Sequence, residues 1–192
     1  MLEFIKPTYN RALKPLAKYS PHPNIITTIG LLFFIMGGYF TAIGSWYIAF
    51  TMGIIGGIAD GLDGVVAREK NLSSKFGALF DSVTDRLTEI VWFAGLTYFF
   101  ATQKSFDPLP IFFIFAAITG SLTVSYVRAR AEGLGVDCSK GIMQRTERLL
   151  FLGILLLLGP TYMKWGLLAV AILAYTTVIQ RVMITFYSLR NK

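Results

Sequence analysis

Residues 46–68 read WYIAFTMGIIGGIADGLDGVVAR, and this stretch decides the fold. Fourteen uncharged residues, from Trp46 to Ala59, run into Asp60, Asp63 and Arg68. A helix rises about 1.5 Å per residue, so the whole stretch from 46 to 68, about 34 Å, is long enough to cross the ~30 Å hydrocarbon core of a bilayer. Charge inside a span is costly, and where it is kept it marks function. The stretch reads as a membrane helix whose last turns carry chemistry.

Five further apolar stretches of spanning length flank it. They run from about Asn24 to Ile43, Gly77 to Ala101, Pro108 to Arg130, Thr146 to Pro160 or a little beyond, and Met163 to Tyr187. No two look like repeats, and no soluble domain boundary is evident. Before them, residues 2–19 mix Leu2, Ile5, Leu13, Leu16 and Ala17 with Lys6, Arg11, Lys14 and Lys18. That pattern suits a basic amphipathic helix lying on the cytoplasmic membrane surface. The expected fold is an all-α integral membrane protein. A short interfacial helix occupies residues 1–20, and a domain of six transmembrane helices, which holds the chemistry, occupies residues 21–192.

Composition agrees. Of 192 residues, 54% are hydrophobic and only 15% charged, whereas about a quarter of an ordinary soluble domain is charged. Disorder and most soluble enzymes are excluded on that ground. The formal charge of +7 could point to nucleic acid, but the placement of the cations argues for topology. With the N-terminus inside, fourteen of the 18 basic residues fall in cytoplasmic segments and two, Lys104 and Lys164, fall outside. Arg86 and Arg181 lie within spans. The positive-inside rule then puts both termini in the cytoplasm and leaves nucleic acid out of the partners. One cysteine, Cys138, and one histidine, His22, allow no intramolecular disulfide and no usual zinc site. His22, between two prolines, reads as structural, and the N-terminus has no compact signal-peptide core.

The intramembrane acids carry the functional argument. Asp60 and Asp63 are spaced i,i+3 late in the second stretch, and Asp81 and Asp85 are spaced i,i+4 early in the third, so each pair shares a helix face. A short connection makes the two helices antiparallel neighbours. Four carboxylates in one place repel each other unless cations balance them. All-oxygen ligation suits magnesium or manganese, with calcium as a competitor. Two such ions held close together form a clamp for displacement at phosphorus. The alternative is a structural network in which the aspartates pair with Arg68, Arg86 and nearby lysines. Gly56, Gly57, Gly61, Gly64 and Gly77 crowd the same region. They suit close helix packing, and they also leave room for a bulky polar ligand.

The run from Asp60 to Arg68, then Gly77, Asp81 and Asp85, spells D-x2-D-G-x2-A-R-x8-G-x3-D-x3-D. It resembles the CDP-alcohol phosphotransferase family at every fixed position, and the six-stretch layout extends the resemblance along the chain. The resemblance implies a transferase that moves a substituted phosphate from a CDP-linked donor to an alcohol and releases CMP. The membrane setting favours CDP-diacylglycerol or its archaeal ether analogue as donor. By the same resemblance Asp60, Asp63, Asp81 and Asp85 bind two divalent ions, Mg2+ with Mn2+ as a substitute. Asp85 is the expected general base. Asp60, Gly64, Ala67, Arg68 and Gly77 are expected around the CDP moiety. A homodimer is implied by resemblance alone.

A second region bears on the acceptor. Residues 125–132 read SYVRARAE, residues 144–149 read QRTERL, and Gln180-Arg181 lies in the last stretch. Five cations in one connection plus an intramembrane arginine suit a phosphorylated alcohol, because arginine offers paired N–H donors. Positive-inside bias with salt bridges to Glu132 and Glu147 would also account for the connection itself. These motifs resemble the inositol-phosphate branch of the family, with Gln144 standing where that branch has glutamate. Pro23-Asn24-Ile25-Ile26-Thr27 also fits the family's first span. The branch implies that Arg130, Arg148 and Arg181 hold the acceptor phosphate, supported by Arg128 and Arg145. Rival readings keep the chemistry but take glycerol 3-phosphate as acceptor or CDP-inositol as donor. A transporter using the carboxylates as a relay is disfavoured, because all four lie at one membrane edge.

Overall fold

The computed structural model describes residues 13–190, and among them there are helices and connections but no strand. The helices are α1 (Pro23–Ala42), α2 (Trp46–Glu69), α3 (Lys75–Ala101), α4 (Pro108–Gly133), α5 (Arg145–Leu158) and α6 (Pro160–Arg190). Each lies within a few residues of an expected stretch.

Local chemistry sets the boundaries. Pro23 opens α1 with its preset φ, and the Nδ1 atom of His22 accepts the Asn24 N–H at 3.3 Å, so the histidine is an N-cap. Pro108 opens α4 in the same way, with Asp107 accepting from the Leu109 N–H at 3.0 Å. Lys164 donates to Asp107 and, with the capping bond, holds that carboxyl below the usual carboxylate range. At the end of α2 the Lys70 N–H returns to the Val66 carbonyl at 3.0 Å, and Asn71 takes the left-handed φ of +54° that turns the chain. Ser74 then caps α3 by accepting the Gly77 N–H at 3.0 Å.

Four of these helices, α1, α2, α4 and α6, are long and apolar enough to cross a membrane. The other two differ for separate reasons. At 27 residues α3 is about 40 Å long, which is ample, but it carries Asp81, Asp85, Arg86 and Glu89. The 14 residues of α5 reach only about 21 Å, less than the hydrocarbon thickness. The expected stretch from Thr146 to Pro160 is cut there by Gly159, whose φ is +89°, a conformation that suits glycine. Apolar sequence resumes at once in α6, which begins before Met163 and continues to Arg190.

The chain divides into two compact units, one up to Leu96 and one from Thr97 onward. In the first, glycines let helices approach closely. A Cβ on Gly30 would lie 3.3 Å from the Ala59 Cβ, and one on Gly95 would lie 2.2 Å from the Gly38 carbonyl oxygen. Trp92 fills the space over Gly37 and Gly53, and its indole N–H donates to the Phe34 carbonyl at 3.1 Å.

Residues 13–17 are helical. Leu13 and Ala17 bury against Ile26, Val65 and Val66. Lys14 pairs with Glu69 at 2.8 Å, and the Lys70 ammonium donates to the Ser20 carbonyl at 2.7 Å. The segment is thus seated on the end of α2, while Leu16 and Tyr19 stay exposed. The earlier part of the expected amphipathic helix lies outside the described residues.

In the second unit α4 and α5 both pack on α6. Gly120 meets Ala174 and Tyr175, and Gly166 accommodates Leu155.

Candidate active site

The acidic centre is built by α2 and α3. Asp60, Asp81 and Asp85 each offer a carboxylate oxygen, and these oxygens lie within 4.8 Å of one another. All three side chains are half-buried. Asp81 and Asp85 are one turn apart on α3, so a single face presents both. The Arg86 Nη1 atom stands 3.7 Å from an Asp85 oxygen and donates to the Ser82 carbonyl of its own helix. Three hard oxygens converging from two helices form a donor set that fits a divalent cation.

Asp63 is not one of these three. It is buried on α2, and one of its oxygens accepts the Thr27 hydroxyl at 2.5 Å. Thr27 is itself buried, one turn after Pro23 on α1. A charge-assisted bond of this kind is strong, and it fixes the direction of the carboxylate.

Beside the acids lies a cleft of about 180 Å³. Pro23, Asn24 and Thr27 of α1 line one side, and Asp63, Gly64, Ala67 and Arg68 of α2 another. Leu72, Ser73 and Ser74 of the connection, with Gly77, Ala78 and Asp81 of α3, complete it. Four of the residues expected around a CDP moiety, Gly64, Ala67, Arg68 and Gly77, are in this wall. The fifth, Asp60, belongs to the acidic trio. Gly77 is the tighter of the two glycines: a Cβ there would sit 3.1 Å from the Ser74 Oγ, whereas one on Gly64 would sit at ordinary contact, 3.4 Å from an Arg68 Nη atom. Thr27, Asn24 and Ser74 had no assigned role from sequence.

The expected acceptor arginines all lie in the second unit and differ in setting. Arg128 and Arg130 are exposed near the end of α4, and Arg128 pairs with Glu132 at 2.8 Å. Arg145 and Arg148 open α5. Arg148 is 2% exposed, and its Nη1 atom donates to the Met143 carbonyl at 3.1 Å. Gln144, the residue that departs from the branch motif, precedes this turn as its N-cap, and its backbone N–H donates to Glu147 at 3.0 Å. Arg181 is buried on α6 and donates to three carbonyls: Val124 at 2.8 Å, Lys140 at 3.1 Å and Ser139 at 3.4 Å. These bonds use three of the five N–H groups of a guanidinium and leave two.

Comparison with known proteins follows the same line. Residues 21–187 match the model of the CDP-alcohol phosphatidyltransferase family. The archaetidylinositol phosphate synthase of Methanothermobacter thermautotrophicus is 33% identical, over 99% of this chain and 96% of that protein. Two solved structures of the Mycobacterium tuberculosis phosphatidylinositol phosphate synthase share the fold. One, with CDP-DAG bound, has a TM-score of 0.82 at 24% identity and covers 92% of this chain and 94% of that one. The other, in complex with manganese and citrate, has a TM-score of 0.80 at 23% identity and covers 93% and 88%.

Proposed function

The chain belongs to the CDP-alcohol phosphatidyltransferase family, and we propose that it transfers a phosphatidyl-type group from a CDP-lipid to a hydroxyl of inositol phosphate, releasing CMP. The donor is CDP-diacylglycerol or its archaeal ether analogue. The observation that carries this reading is the convergence of Asp60, Asp81 and Asp85 beside a cleft walled by Gly64, Arg68 and Gly77. The similarity to an archaetidylinositol phosphate synthase supports the acceptor.

Asp60, Asp63, Asp81 and Asp85 would hold two divalent ions, Mg2+ or Mn2+. When bound, such ions neutralise pyrophosphate charge and make CMP a better leaving group. The rest is done by the chain itself. Gly64, Ala67, Arg68 and Gly77 border a space that suits a nucleobase and its sugar rather than a whole liponucleotide, so the lipid tails remain in the bilayer. Arg68 supplies a cation for the nucleotide phosphates. Asp63 is directed by Thr27.

Asp85 takes the proton from the acceptor hydroxyl as that oxygen bonds to the lipid-side phosphorus. The bond from this phosphorus to the bridging oxygen breaks, and its electron pair leaves with CMP. A base within reach of the proton contributes about 10²–10⁴-fold to such a step. Arg128, Arg130, Arg145, Arg148 and Arg181 are the groups for the acceptor phosphate, with Arg181 able to offer the two N–H groups its carbonyl contacts leave over. Six spans, the short α5 counted as the fifth, a basic interfacial helix at the N-terminus, cytoplasmic termini and active site, and a homodimer complete the proposal.

The test is an acceptor screen. Purified protein in detergent is given CDP-lipid and radiolabelled inositol phosphate, glycerol 3-phosphate or inositol. Label is expected in lipid with inositol phosphate, matched by CMP. Turnover of another alcohol without label from inositol phosphate would sink the reading.

A further inference from the structure

The connection between α4 and α5 is stitched to one face of α6. The Met143 N–H donates to the Thr177 Oγ1 at 3.1 Å, and the Ile142 N–H to the Gln180 Oε1 at 3.3 Å. Arg181 reaches the carbonyls of Ser139 and Lys140, and the Cys138 thiol donates to the Arg181 carbonyl at 3.5 Å. Thr177, Gln180 and Arg181 are spaced i, i+3 and i+4, so one helical face makes every one of these contacts.

Thr177 is the innermost of the three and fully buried. Its hydroxyl proton goes to the Leu173 carbonyl at 2.8 Å, which aims the oxygen's lone pairs at Met143. Gly141 makes room for the fit, since a Cβ there would lie 2.6 Å from the Thr177 Cγ2. Met143 is gripped from both sides. Its N–H is held by Thr177, and its carbonyl accepts from Arg148 at 3.1 Å. A line of contacts therefore runs from α6 through one residue of backbone to the buried arginine of α5.

We propose that Thr177 is a positioning residue for the acceptor: acting through Met143, it sets the place of Arg148 and of the first turn of α5. This rests on the reading of Arg148 as a ligand of the acceptor phosphate. Thr177 itself touches no substrate. Its contribution is to keep an arginine pre-placed, so that ordering the connection does not have to be done at the expense of binding energy.

Two variants test this. Thr177→Val keeps the shape and removes the hydroxyl; Thr177→Ser keeps the hydroxyl. In Thr177→Val, hydrogen exchange at the amides of Ile142 and Met143 should quicken. The KM for inositol phosphate should rise about tenfold, the equivalent of one ordinary hydrogen bond, with kcat and the KM for CDP-lipid within about twofold of wild type. Thr177→Ser should restore all of these. If Thr177→Val does not fold, Gln180→Met should move the same readouts in the same direction by less.

Faster exchange with an unchanged acceptor KM overturns the inference. So does a loss of kcat and folded yield shared by both variants, which would mark a purely structural role. Arg148→Lys separates the two layers. If it raises the acceptor KM while Thr177→Val does not, the positioning role alone falls. If neither variant changes the KM for inositol phosphate, the acceptor reading falls, and the positioning role with it.

Discussion

The Thr27 hydroxyl donates to the Asp63 carboxylate at 2.5 Å and ties α1 to α2 at the edge of the cleft. Both partners are buried. Thr27 is thereby part of the acidic centre, although it is no ligand itself, because it decides where one oxygen of Asp63 points.

Removing that hydroxyl should therefore weaken catalysis. A hydrogen bond to a charged group contributes about 1.5–3 kcal/mol, or roughly 10–100-fold. Thr27→Val is expected to lower kcat/KM by that factor and to raise the metal concentration needed for half-maximal CMP release. Thr27→Ser should stay near wild type. Steady-state assays in mixed micelles over a Mg2+ titration measure both, and a Thr27→Val enzyme with wild-type metal dependence would remove Thr27 from the centre.

The cleft wall gives a second expectation. Alanine at Gly77 places a methyl 3.1 Å from the Ser74 Oγ and 3.6 Å from the Asn24 Oδ1, on the surface where the nucleotide is proposed to lie. Gly77→Ala should raise the KM for CDP-lipid about tenfold, ~1.4 kcal/mol. The KM for the acceptor should be little changed. Gly64→Ala, whose methyl would stand at ordinary contact distance, 3.4 Å, from the Arg68 guanidinium, should raise the KM for CDP-lipid by less. Equal effects on both substrates would argue for general distortion instead.

Most of this architecture is legible in the sequence because a bilayer admits few solutions. Backbone groups in hydrocarbon must bond within their own helix, so apolar runs become helices with sharp limits. The limits at α1 and α4 were readable from Pro23 and Pro108. The break between α5 and α6 was readable near Pro160, but the positive φ of Gly159 that makes it was not, because composition does not reveal backbone conformation.

At the centre, the spacing of Asp60, Asp63, Asp81 and Asp85 was readable since i,i+3 and i,i+4 define faces. The division of these four into a trio and an Asp63 held by Thr27 was not, because that contact joins residues 36 apart in sequence. Arg181 shows the same limit. A cation inside a span reads as a ligand-binding group, and only coordinates show three backbone carbonyls around it.

Helix packing in the first unit supplies a stability test. Gly95→Ala would bring a Cβ to 2.2 Å from the Gly38 carbonyl oxygen, and backbone on both sides leaves nothing flexible to yield. Overpacking of this kind costs about 1–3 kcal/mol or more. Gly57→Ala meets nothing within 4 Å and should be neutral or slightly stabilising, since alanine is the better helix former. Thermal unfolding in detergent should rank Gly95→Ala well below wild type and Gly57→Ala at or above it. A wild-type midpoint for Gly95→Ala would mean that the two helices do not approach as closely as described.

Asp85 carries the sharpest prediction because two roles converge on it. As general base it should be worth about 10²–10⁴-fold in kcat. As a member of the acidic trio it should also affect metal affinity. Asp85→Asn keeps the shape and removes the charge, so the roles separate on a metal titration. If Asp85 serves only as a ligand, saturating Mg2+ or Mn2+ restores kcat. If it takes the acceptor's proton, kcat stays low at every metal concentration while CDP-lipid still binds. The second outcome is expected. Chelation should abolish CMP release by the wild-type enzyme, and Mg2+ or Mn2+ should restore it. CMP release that persists in Asp85→Asn at the wild-type rate would remove the residue from the chemistry.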